Sequence, residues 1–227
     1  MTLQRLVDDA TRFWTVEERL VLDALRRSKA SLNGASVEEL SAYVGGLSPE
    51  QLRGVTSNVK GIFHELLFVY VENSDGDEIT ARIFEATNHP GADVEFIVLG
   101  DVIGEVQLKA VATTSAIMDH LARYPEISIL ATAEVATELD LVASSGFLNA
   151  ELTSDVNDTF LELPGDTLVV ELAEGIATSA LVSGALAAGR ILRQRQLDGK
   201  QVWSGLGDVA VGAVTATTLE VLLGGVF

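Results

Sequence analysis

The sequence predicts an α/β (α+β) domain preceded by a helical region and followed by a second helical region rich in glycine and alanine. Three observations carry that expectation. Residues 92–98 and 103–110 alternate polar and apolar side chains with the two-residue period of strands. Cap residues stand ahead of apolar stripes at helical spacing in the first third of the chain. Two uncharged, small-residue segments, 176–189 and 209–219, stand in the last third.

The elements follow in chain order. Thr15 and Glu18 form a capping-box pair ahead of Val16, Leu20, Val21 and Leu25, which make one helical stripe. Arg12, Arg19, Arg26, Arg27 and Lys29 lie in or beside this segment; a solvated helix face is the plain reading and a phosphate-contacting face the alternative. Ser36 with Glu39 opens a second helix, which Gly45 and Gly46 end, and Ser48-Pro49-Glu50-Gln51 opens a third. Residues 57–72 carry a helical stripe at Ile62, Phe63, Leu66, Leu67 and Val69, with Glu65 among these apolar neighbours.

Residues 73–78 read as a turn, 79–87 as a strand and 88–91 as another turn. Strands 92–98 and 103–110 follow as a hairpin. A helix over 113–124 stops at Pro125, and residues 127–132 suit a buried strand. Residues 134–150 read as helical or irregular, and 159–172 as short apolar runs around Pro164-Gly165. Ala180, Gly184 and Ala188 repeat at four-residue spacing, as do Gly212 and Ala216, the kind of ridge along which two helices approach closely. The expected division is a helical region 1–56, a core 57–150 and a C-terminal region 151–227. The small-residue helices of that last region would serve homo-oligomerisation or contact with a membrane.

Composition removes several function classes. There is no cysteine, hence no disulfide, no thiolate zinc site and no cysteine nucleophile, and the three histidines have no metal-binding spacing. The formal net charge is −18. It is about neutral over residues 1–58 and concentrates as −11 over 59–150 and −6 over 151–227. Such a chain repels polyanions at long range, so a nucleic acid would be held locally, through a metal and a few cations. No leader pattern opens the sequence, and a cytoplasmic location is expected.

The chemistry concentrates on two strands. Asp93 and Glu95 share one face of the first, and Glu105, Gln107 and Lys109 share one face of the second. Magnesium takes hard oxygen ligands, commonly one or two carboxylates with water and substrate phosphate. A neighbouring lysine can orient an attacking water and balance charge on a phosphoryl group. An amphipathic hairpin with a solvated polar face explains the same alternation.

These residues resemble the PD-(D/E)XK, or restriction-endonuclease-like, nuclease superfamily. The resemblance rests on the order helix, three-stranded meander, helix, strand over roughly residues 57–133. It rests also on Asp93 of the second strand and Gln107-Leu108-Lys109 of the third. It implies a restriction-endonuclease-like core and a hydrolase that cleaves DNA or RNA phosphodiester bonds with Mg²⁺ or Mn²⁺. Asp93, Gln107 and Lys109 would be its catalytic residues, with Asp93, Gln107, Glu105 and Glu65 (on the first core helix) as metal ligands. Such a nuclease would suit a toxin, a phage or a defence system. Gln107 stands where the family commonly has an acid, and no proline precedes Asp93. The alternative is therefore a non-catalytic assembly protein that keeps the fold and oligomerises or meets a membrane through its C-terminal helices.

Overall fold

The computed structural model describes residues 14–84, 90–139 and 141–164. The C-terminal small-residue helices, Arg12 and His89 lie outside the described residues. The chain divides into two compact units, one helical and one built on a sheet.

The described part of the helical unit comprises residues 14–67 and 150–164. Helix α1, Val16–Arg27, starts at the Thr15 and Glu18 capping box, in which each side chain bonds the other residue's backbone N–H. A short 3-10 turn, Ala30–Leu32, leads to α2, Val37–Gly45, opened by the same reciprocal bonds between Ser36 and Glu39. Helix α3 runs over Pro49–Glu72, with Ser48 and Gln51 bonding reciprocally at its start. The two helices expected over residues 49–72 are thus one 24-residue helix, in which Gly54 and Gly61 cause no break. Their cost is offset by burial of Val59, Ile62, Phe63, Leu67 and Phe68 at helical spacing.

The last described helix, α6, Asn149–Leu161, buries Leu152, Val156 and Phe160. Its sequence is polar between these anchors, and the expectation for 134–150 and 159–172 did not include it. Within this unit the Ser41 hydroxyl donates to the Pro164 carbonyl. The basic residues of α1 are largely engaged by the chain itself. Arg19 donates to the Trp14 carbonyl, Arg26 to Asp23 and the Ala35 carbonyl, and Lys29 lies over the Tyr43 ring.

The described part of the other unit comprises residues 68–84, 90–139 and 141–149. Its five strands lie in chain order: β1 Ile79–Ile83, β2 Val94–Val98, β3 Asp101–Lys109, β4 Ser128–Ala131 and β5 Ala143–Ser144. Strands β1, β2 and β3 form an antiparallel meander, whereas β4 pairs parallel to β3 and β5 parallel to β4. The parallel step needs a crossover, which α4, Ser115–Arg123, supplies. A single turn of helix, α5 Ala133–Ala136, lies between β4 and β5.

Strand pairing fixes the two faces of this sheet. Ile79, Ala81, Val94, Phe96, Val106, Leu108 and Leu130 share one face and are all buried. Phe68, at the C-terminal end of α3, meets Phe96 edge to face with ring centres 5.9 Å apart. On the opposite face, Ile129 and Ala131 of β4 pack with Ile117 of α4, Val135 and Val142. Across β2 and β3 that face is polar, holding Asp93, Glu95, Glu105, Gln107 and Lys109.

The hairpin between β2 and β3 is a two-residue turn, Leu99-Gly100, with both residues at positive φ. That backbone matches the twist of the flanking strands. Glycine adopts it freely, while Leu99 does so at a cost of roughly 1 kcal/mol.

Candidate functional site

The register brings Asp93 and Gln107 together. Val94 pairs with Val106, where the regular ladder ends, and the Asp93 N–H bonds that same Val106 carbonyl at 2.9 Å. The Asp93 carboxylate is thereby brought beside Gln107 and Leu108. Asp93 Oδ2 accepts from the Gln107 amide nitrogen and, at 3.0 Å, from the Leu108 backbone N–H. The same Gln107 nitrogen also donates to the Leu108 carbonyl at 3.1 Å. Gln107 is only 7% exposed. The polar face is thus not an ordinary solvated surface at this point, because a buried amide is clamped between a carboxylate and a backbone carbonyl.

Lys109 lies two residues beyond Gln107 on the same face, half-buried. Among the described residues it makes no hydrogen bond or ion pair. Glu105, two residues the other way, is exposed and is displaced from Gln107 by roughly 7 Å of strand. It stands opposite Glu95. Two carboxylates facing each other across a ladder repel, and Arg82 of β1 relieves this by bonding Glu95 at 2.7 and 3.1 Å. Glu65 is half-buried on α3 and belongs to the helical unit. The structure therefore brings together Asp93 and Gln107, and sets Lys109 and Glu105 one strand repeat away on either side of Gln107.

The approach to Asp93 is made by Gly91, whose φ of +87° is open to glycine at little cost. A Cβ there would come within 3.1 Å of the Tyr124 ring at the end of α4. The absence of a side chain lets the loop close on α4, and a hydrogen bond joins the His120 imidazole of that helix to the Gly91 backbone. His120 is buried beside Tyr124, ring centres 5.1 Å apart, and its Nε2 has no hydrogen-bond partner. Burial lowers its pKa, and the positive charge of Lys109 lowers it further. His120 was not singled out from sequence. The signal available was its place three residues after the apolar Ile117, which puts both on the buried side of one helix.

The donor chemistry around Asp93 decides what the site can hold. Among the described residues no three His, Asp or Glu side chains group around one point. What converges is one carboxylate oxygen and one backbone carbonyl, both within reach of the Gln107 amide. The Gln107 nitrogen fills the point between these two oxygens and donates to both, which fixes that way round of the amide. The hard-donor content of the site is one carboxylate, with an amide oxygen that would have to turn out of this arrangement, and Mg²⁺ there would take its remaining ligands from water. Comparison with protein-family models, curated proteins and solved structures gives no match to this chain.

Proposed function

We propose that this chain is a Mg²⁺- or Mn²⁺-dependent nuclease of restriction-endonuclease-like fold that hydrolyses DNA or RNA phosphodiester bonds. The observation that carries the reading is the meeting of Asp93 and the buried Gln107 amide, with Lys109 uncommitted on the same face. The element order supports it: a helix, three antiparallel strands, a crossover helix and a parallel fourth strand.

Asp93 and Gln107 would hold the ion, with the Leu108 carbonyl and, through water, Glu105; the ion supplies Lewis-acid polarisation of the phosphoryl group. Leu108 N–H fixes the Asp93 carboxylate, so that its orientation needs no substrate. Lys109 presents a cation to the attacking water and to the charge that develops on the phosphoryl oxygens. The −18 net charge makes affinity for nucleic acid low and local rather than steered.

A second reading has an observation in its favour. The Gln107 amide donates to both the Asp93 carboxylate and the Leu108 carbonyl. Such a mutually satisfied pair is what an assembly protein that kept the fold needs of these residues. Cleavage of plasmid DNA and RNA with Mg²⁺ or Mn²⁺, compared with Lys109→Ala, separates the two. Cleavage that depends on the metal and falls in the variant supports the nuclease. An inactive wild-type chain supports the assembly protein.

A further inference from the structure

We propose that His120 is a positioning residue for Lys109, its Nε2 accepting a hydrogen bond from the lysine ammonium and so holding Nζ beside Asp93. What Lys109 then does rests on the nuclease reading; the pairing itself rests on the fold alone.

The two side chains have complementary needs. Lys109 is half-buried and, among the described residues, has no hydrogen-bond or ion-pair partner. His120 Nε2 is buried and has no partner either. Because the imidazole bonds the Gly91 backbone while Nε2 stays bare, the atom engaged at Gly91 is Nδ1. That bond places the proton on Nδ1 and leaves a lone pair at Nε2. A buried acceptor without a donor is costly, and a lysine donor removes that cost.

Packing puts the two side chains on the same side of the sheet. Ile117 packs against Ile129 and Ala131 of β4. Ala131 pairs with Lys109 and Ile129 with Gln107, so α4 covers the face on which Lys109 projects. His120 lies one helical turn from Ile117 on the same side. The fixed ring, held between the Gly91 backbone and Tyr124, is a rigid stop for a flexible four-carbon side chain.

The groups facing His120 are Lys109 from β3, the Gly91 backbone from the loop before β2, and Arg123 and Tyr124 from its own helix. The two charged members are cations, so the ring stays neutral and remains an acceptor.

The test has two arms on the full chain. In the first, long-range ¹H–¹⁵N spectra read both ring nitrogens of His120 at neutral pH without metal or substrate, in wild type and in Lys109→Met. The expected result is a neutral ring protonated at Nδ1, whose Nε2 resonance moves in Lys109→Met while Nδ1 stays. An Nε2 signal indifferent to Lys109→Met overturns the pairing. In the second arm, His120→Leu should lower kcat for Mg²⁺-dependent cleavage by roughly 10- to 100-fold with KM unchanged. His120→Gln, which keeps an acceptor, should recover part of that loss. Equal losses in both variants, or a loss confined to KM, overturn the positioning role. If wild type cleaves nothing while Nε2 responds to Lys109→Met, the pairing stands and the nuclease reading falls.

Discussion

His64 has a consequence that reaches beyond any functional site. It is fully buried on α3, where desolvation and the nearby Lys60 push its pKa down to about 3. The unfolded chain takes up a proton near the usual histidine value of about 6.5, and the folded chain does not until far lower pH. Stability is therefore complete above about pH 6.5 and falls as the pH drops toward 3. At pH 5 the loss from this one residue is about 2 kcal/mol. Urea denaturation at pH 7 and pH 5 should give a difference smaller by about that amount in His64→Leu; an unchanged difference would refute the assignment. The same physics limited what could be read from sequence. The alternation at 93–109 placed Asp93, Gln107 and Lys109 on one face, but alternation carries no information on burial. Hence Gln107, expected as a metal ligand through its amide oxygen on a polar face, is a buried amide whose nitrogen bonds Asp93. His120 gave no motif because its neighbours, Gly91 and Lys109, are brought to it by the sheet rather than by the local sequence.

At the scale of elements, cap chemistry was the most legible signal. All three expected pairs, Thr15 with Glu18, Ser36 with Glu39 and Ser48 with Gln51, form reciprocal backbone bonds. Such bonds depend only on residues three apart, so no tertiary knowledge is needed to foresee them. Ser36→Ala should cost about 1 kcal/mol in the helical unit, measured by urea unfolding followed by helical circular dichroism. A loss below the error of the measurement would mean that packing, not the cap, fixes the start of α2. The elements that escaped notice are those where tertiary contacts decide. Helix α3 overrides two internal glycines by burying a long stripe, and α6 hides its three apolar anchors among Ser, Thr, Asp and Asn. Strand β5 is two residues long and has no period to read.

For the whole molecule, charge is the dominant fact. The chain carries a net −18, and the stretch 59–150 alone holds −11. Self-repulsion of that size opposes folding, and salt screens it. Raising an inert monovalent salt from about 0.1 to about 1 M, which shortens the Debye length from about 10 to about 3 Å, should raise the melting temperature. A flat or falling melting temperature would show that repulsion is already compensated locally, as Arg82 does for Glu95. Among the described residues no helix is long and apolar enough to cross a membrane. The acidic surface also bears on the central claim, since it leaves a local, ion-assisted site as the one credible route to a nucleic acid. The most direct measurement is therefore cleavage of plasmid DNA and RNA by the full chain, with and without Mg²⁺ or Mn²⁺, beside Asp93→Asn and Lys109→Ala. The expected result is strand scission that requires the ion and falls at least about 100-fold in either variant. Intact substrate with wild type under every ion, or scission that survives both substitutions, would contradict it.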